Sequence, residues 1–180
     1  AERTAPTGDT VYFAAADADG LMVSIIQSPY HDFGSGIIAG ETGVIPQNRG
    51  SFFSLDGTHP NALEPGKKTF HTIIPAMVLE DGEPVLAYGT MGGEGQPQTQ
   101  AAVLTRILDY GFDVQQAIEA PRWLYGRTWG VSASDLKLEA RIDPEVVREL
   151  TLRGQPVTIV PAWDGALGHA AAIRRHRDTG

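Results

Sequence analysis

Few side chains in this sequence form a cluster that could do chemistry by residue type alone. The five histidines stand at positions 31, 59, 71, 169 and 176. No two are four residues apart and none joins Asp or Glu at ligand spacing, so no metal is expected. Glu41, Glu64 and Glu94 fall in loop-forming stretches. Paired carboxylates of the glycosidase kind stay open on that basis, with nothing else in the chain to support them. Cysteine is absent, which removes thiol nucleophiles, disulfides and Cys-ligated metals. No glycine loop opens a helix as a phosphate cradle requires. Thr10 heads the apolar run 11–16. Its hydroxyl is a poor nucleophile without an adjacent base, and a β-branched residue also suits a strand with no chemistry at all.

The elements that must position such residues follow from the hydrophobic pattern. Apolar runs at 11–16 and 21–26 flank Asp17-Ala18-Asp19-Gly20, which predicts a β-hairpin. Both runs are nearly continuous, so this hairpin is expected to be covered on both faces. The stretch 33–43 is glycine-rich and reads as irregular. A second hairpin is expected from 72–79, the turn Glu80-Asp81-Gly82, and 84–89, ending in the loop Thr90 to Gly95. Residues 98–109 place Ala101, Ala102, Leu104, Ile107 and Leu108 on one helical stripe, closed by Tyr110-Gly111. Asp113 can cap a helix over 114–120, which Pro121 stops. Asp143 and Pro144 open a third over 144–152, with Gly154 as its stop. Short strands are expected at 157–160 and 168–173. Hairpins, then helices, then strands make a layered α+β pattern.

The chain has 180 residues, enough for one compact domain. A formal charge of −8 argues against nucleic acid, whose phosphates require a basic face. The basic run Arg174-Arg175-His176-Arg177 reads as a solvated tail. No apolar run approaches the ~18 residues that cross a membrane, and the start of the sequence lacks a secretory layout. A soluble, cytoplasmic protein is favoured over a periplasmic or secreted one. Residues 1–9 are polar and turn-prone, as a linker would be.

A series of short motifs resembles the small subunit of the γ-glutamyltranspeptidase family, with its cephalosporin-acylase-like members. They are Asp9-Thr10-Val11-Tyr12-Phe13, Asp17-Ala18-Asp19-Gly20, Phe33-Gly34-Ser35-Gly36, Glu41-Thr42-Gly43, Gln47-Asn48 and Pro65-Gly66-Lys67-Lys68. Met91-Gly92-Gly93, Asp109-Tyr110-Gly111 and Glu119-Ala120-Pro121-Arg122 continue the series. Order and spacing agree from about residue 8 to about residue 173. The resemblance implies a four-layer αββα sandwich of the N-terminal-nucleophile (Ntn) hydrolase type. It also implies a precursor that cleaves itself before the threonine, leaving 1–9 on the large-subunit side and 10–180 as the small subunit.

On that resemblance Thr10 is the nucleophile, and Asp9–Thr10 the bond cut by an N-to-O acyl shift. Cleavage frees the Thr10 α-amino group, whose ordinary pKa of roughly 7.7–8.0 suits a base. While nine residues precede Thr10 its nitrogen is an amide, and turnover is not expected. Gly92 and Gly93 take the place of an oxyanion hole made of two backbone N–H groups; a plain turn is their alternative. Ser28 stands where a second hydroxyl bonds the nucleophile, or is a strand-end serine. The substrate positions align with Tyr30, Arg49, Phe52, His71 and Thr72, with Asn48 as loop support beside the pocket and a structural histidine as the alternative for His71. Apolar Phe52 replaces an acid that would hold a substrate ammonium, and Arg49 could grip a carboxylate. The stretch 53–65 is short, so the site is expected to be open. The resemblance implies γ-glutamyl amides as substrates, glutaryl-type amides as the runner-up and no cofactor. A non-catalytic, unprocessed scaffold is the reading from another class. The expected partners are a large subunit from the same precursor and a small acyl amide.

Overall fold

The structure, a computed structural model, describes residues 10–128 and 133–176. Strands β1 (Val11–Ala16) and β2 (Met22–Gln27) form the first hairpin, in the register Val11 opposite Gln27. Its turn is closed by the Asp17 carboxylate, which accepts from the amides of Asp19 at 3.0 Å and Leu21 at 2.9 Å. From residue 28 to 75 the chain runs through loops, with one 3₁₀ turn at Arg49–Phe52.

Strands β3 (Ala76–Glu80) and β4 (Glu83–Met91) form the second hairpin. Its tip, Asp81 at φ +54° and Gly82 at φ +85°, has the two left-handed residues of a type I′ turn. β3 starts later than the sequence pattern suggested, because Pro75 lacks the N–H that a ladder needs. β4 also pairs antiparallel with β8 (His169–Arg174), giving the order β3-β4-β8. A separate sheet contains β5 (Trp123–Tyr125), β6 (Leu136–Glu139) and β7 (Val157–Val160), with β6 and β7 parallel. β5 and β6 were not expected from the pattern; at three and four residues they are too short to show alternation.

Helices α1 (Gln96–Leu108) and α2 (Val114–Glu119) cover the β3-β4-β8 sheet, and α3 (Pro144–Leu152) packs on β7. α2 begins in a full capping box: the Asp113 side chain takes the Gln116 amide, and Gln116 returns to the Asp113 amide. Leu86 and Tyr88 of β4 join Val103, Ile107 and Ala117 in the core beneath the helices. The opposite face of β4 carries the first hairpin. A Cβ placed on Gly89 would lie 2.3 Å from Tyr12 Cδ2, so the tyrosine ring rests on glycine backbone.

First hairpin, three-stranded sheet and helices thus stack as β/β/α, three layers of the expected αββα order. Among the described residues nothing covers the hairpin's outer face: Val11, Phe13, Val23 and Ile25 are 38–53 % exposed. Of the expected cover on both faces, the described residues supply only the inner layer. That face is a contiguous apolar patch of the kind that marks an interface.

A second organising centre lies under β6. Glu139 is fully buried and binds Arg122 at 2.7 Å, the Arg122 amide at 3.0 Å, Arg141, and the Trp163 amide. Burial alone would raise its pKa. The Arg122 bonds and the Arg141 bond outweigh burial and bring it down to about 2.

Candidate active site

Thr10 and Ser28 stand just outside the ends of the first hairpin. The Val11–Gln27 pair is the last of the ladder, so continuing the register by one residue sets Thr10 opposite Ser28. Their hydroxyl oxygens are 2.8 Å apart. Ser28 Oγ receives two further bonds, from the Tyr30 amide at 2.9 Å and from Arg49 Nη2 at 3.3 Å. The first requires Tyr30 to turn the chain sharply, at φ +79°.

Arg49 is 1 % exposed, buried by its own chain. Its Nη1 donates to Thr72 Oγ1 at 2.6 Å, its amide donates to Gln47 Oε1, and the guanidinium lies 4.8 Å from the Tyr30 ring centroid. Its Nε has no partner among the described residues, and no carboxylate pairs with it there. Burial lowers its pKa. His71 is lowered as well, first by burial and then by the Arg49 charge. Its Nδ1 accepts from the Ile73 amide at 3.1 Å.

Around this cation the walls are aromatic. Tyr30 stacks with His31 at 4.0 Å and Phe52 at 4.7 Å, and Phe52 meets Phe70 edge-on at 5.3 Å. Asn48 braces the same loop, accepting from the His31 amide at 3.0 Å and donating to the Gly34 carbonyl at 2.9 Å. Both ends of its amide are therefore engaged with backbone.

Gly92 and Gly93 follow β4, at φ +143° and φ +48°. A Cβ on Gly93 would lie 2.5 Å from the Thr128 carbonyl oxygen, and one on Gly92 3.3 Å from Gly168 Cα. Glycine is required here by close approach as well as by φ. Among the described residues neither amide donates to a backbone carbonyl, whereas the next amide, of Glu94, is taken by Thr128 O at 3.2 Å. The Glu94 carboxylate holds Arg127 through Nε at 3.0 Å and Nη2 at 2.9 Å. Sequence reasoning missed Thr128, Gly168 and this ion pair. They come from distant segments, and no local spacing announces them.

The structure thus brings Thr10, Ser28, Tyr30, Arg49 and Thr72 into one bonded group. His71 is coupled to it by charge, and Asn48 supports it from behind. Asp9 lies outside the described residues, so the expected scissile bond has no geometry here. Among the described residues no group of His, Asp and Glu is arranged to hold a metal, and no helix is long and apolar enough to cross a membrane. A cavity of about 180 Å³ lined by Val103, Arg106, Arg122 and Trp163 opens on the helix side of the sheet and includes neither Thr10 nor Ser28.

A hydroxyl residue at the head of a strand, a second hydroxyl across the hairpin, a glycine pair after a neighbouring strand and a stacked β/β/α core agree with the Ntn-hydrolase type that the resemblance implies. The gamma-glutamyltranspeptidase family model matches residues 1–179, and the chain belongs to that family. It is 55 % identical over 170 residues to the glutathione hydrolase-like YwrD proenzyme of Bacillus subtilis (strain 168), covering 94 % of this chain and 32 % of that protein. It is 52 % identical over 170 residues to the oxamate amidohydrolase proenzyme of Klebsiella pneumoniae, again covering 94 % of this chain and 32 % of the relative. The cephalosporin acylase of Bacillus halodurans superimposes with a TM-score of 0.81 at 40 % identity, over 94 % of this chain and 30 % of that one. The chain therefore spans about a third of the relatives it matches, two of which are named as proenzymes.

Proposed function

We propose that Thr10, once freed by cleavage of the Asp9–Thr10 bond, is the nucleophile of an amidohydrolase for acyl groups that carry a carboxylate and no free α-amino group. Its hydroxyl attacks the amide carbonyl and its proton passes to the Thr10 α-amine. The oxyanion is held by the amides of Gly92 and Gly93. The C–N bond breaks, the leaving amine takes the proton from the α-ammonium, and water hydrolyses the Thr10 ester.

The observation that carries the substrate class is Arg49: a cation 1 % exposed, without a carboxylate partner among the described residues, whose Nη2 is 3.3 Å from Ser28 Oγ. An isolated buried charge costs several kcal/mol, and an anion arriving nearby offsets that cost through the low-dielectric interior. Glu94 is already matched by Arg127, which leaves the surroundings net positive. A γ-glutamyl group, the first expectation from the resemblance, brings an α-ammonium beside its α-carboxylate. The Tyr30, Phe52 and Phe70 rings have no carboxylate with which to receive that ammonium. Oxamate, named for one relative, and glutaryl amides both belong to the favoured class.

A large subunit from the same precursor is the partner that fits the bare Val11, Phe13, Val23 and Ile25 face. The test uses the whole precursor. Mass spectrometry should show a new N-terminus at Thr10, and an Asp9–Thr10 bond that stays intact supports a non-catalytic scaffold. The processed protein should hydrolyse oxamate or glutaryl p-nitroanilide at least tenfold faster, by kcat/KM, than γ-glutamyl p-nitroanilide. The reverse order overturns the substrate class.

A further inference from the structure

We infer that Arg49 is a positioning residue that fixes the direction of the Ser28–Thr10 hydrogen bond, so that Ser28 donates and Thr10 Oγ1 accepts. The inference rests on Thr10 being the nucleophile.

Either hydroxyl of an isolated pair at 2.8 Å could be the donor. A serine hydroxyl has one proton and two acceptor lone pairs. Ser28 Oγ already receives two N–H groups that can only donate: the Tyr30 amide at 2.9 Å and Arg49 Nη2 at 3.3 Å. Both lone pairs are occupied, so the Ser28 proton has one remaining use, toward Thr10 Oγ1. The Thr10 proton is then turned away from Ser28, free to reach its own nitrogen. The chain of donors runs Arg49 to Ser28 to Thr10, ending on the oxygen that becomes the alkoxide during attack. A charged donor at the head of such a chain strengthens every bond in it.

The geometry of Arg49 supports positioning over direct substrate contact. It is 1 % exposed without any partner subunit present. Its two Nη groups are directed at Ser28 and Thr72, and its Cζ lies over the Tyr30 ring, 4.8 Å from the centroid. A planar fork that meets two hydroxyls and a ring at once is specific to arginine. It can act on an anionic substrate through its field while its N–H groups stay on Ser28 and Thr72. Among the described residues, the other titratable groups near this chain of donors are Tyr30, His31, His71 and the Glu94–Arg127 pair.

The test is a double-mutant cycle on the processed heterodimer, read in kcat at saturating substrate. Arg49→Met is expected to lower kcat about 10–100-fold, and Ser28→Ala by a comparable factor. Because Arg49 acts through Ser28, adding Arg49→Met to Ser28→Ala should change kcat less than threefold. Losing the cation should also raise the pKa of the Thr10 amine and move the acid limb of kcat/KM up by about one pH unit. A purely structural role would leave that limb in place. Multiplicative losses in the cycle, or an unmoved limb, overturn the inference. If Arg49→Met fails to fold, Arg49→Lys serves in the same cycle. Its single ammonium cannot hold Ser28 and Thr72 in the same fork, so a partial loss of kcat is expected, vanishing in the Ser28→Ala background. A loss that persists there refutes the inference. Thr10→Ala tests the underlying reading separately, since turnover surviving it removes the nucleophile itself.

Discussion

The ring of Tyr12 rests directly on the backbone of Gly89, with no space between them for a methyl group. This contact joins the strand that begins after Thr10 to the strand that leads into Gly92 and Gly93, so the two halves of the site share one packing interface. Tyr12 is 8 % exposed and its hydroxyl meets Ser24 Oγ at 3.1 Å. Gly89→Ala would drive a Cβ to 2.3 Å from the ring carbon. A destabilisation of about 1–3 kcal/mol is expected, measured as a lowered urea midpoint of the protein. Tyr12→Ala should relieve the clash, so the double variant should lose less than the two single losses combined. Full additivity would mean that the contact is not as close as described.

Glu139 makes stability depend on acid. Its folded pKa is about 2, against an ordinary 4.5. The unfolded chain therefore binds the proton more readily. The contribution is complete above about pH 4.5 and disappears as pH falls toward 2, amounting to about 3 kcal/mol. Urea midpoints taken across that window should fall steeply for the native protein. Glu139→Gln should begin lower and show a shallower slope, because the buried Arg122 and Arg141 charges lose their counterion at every pH. An unchanged slope would remove Glu139 as the group responsible.

Much of this architecture is legible in the sequence, and the exceptions have physical causes. The Asp17–Gly20 turn, the Asp81-Gly82 tip, the Asp113 cap and the Asp143-Pro144 start are local signals, and the corresponding elements stand where those signals put them. Ser28 was reached through the resemblance, because the expected four-residue turn would have set Gln27 across from Thr10, whereas the observed register, Ala16 opposite Met22, sets Ser28 there. What local pattern could not supply is the burial of Arg49. An arginine in a loop reads as a solvated cation or a substrate clamp, and only the approach of Thr72, 23 residues away, encloses it. The hairpin's continuous apolar character was read as burial on both faces, whereas the described residues cover one. The pattern marks apolar surface, without saying what covers it.

Gly93 has a double constraint, φ +48° and a carbonyl oxygen 2.5 Å from any added Cβ. Gly93→Ala should push the turn away from Thr128 and rotate the amide proposed to meet the oxyanion. A fall in kcat of about a hundredfold is expected, with KM changed far less, since the ground-state carbonyl needs little of that donor. Steady-state kinetics on the processed protein settle this. A kcat within a few-fold of native would leave Gly93 as a turn residue only.

Phe52 is the sharpest test of the substrate class, because the resemblance sets it at the place of an acid. Its ring lies 4.7 Å from Tyr30 and 5.3 Å from Phe70, in a wall close to the Arg49 cation. Phe52→Asp would place a carboxylate within the reach of that field and compensate the charge that now favours anionic acyl groups. It would equally create a partner for a substrate ammonium. The ratio of kcat/KM for γ-glutamyl over glutaryl p-nitroanilide should rise at least tenfold, by a gain on the first, a loss on the second, or both. Loss of an aromatic contact costs stability as well, so the comparison is the ratio of two substrates on one enzyme, from which the fraction folded cancels. A ratio that does not move would mean that the Arg49 field and the aromatic wall do not select the acyl group.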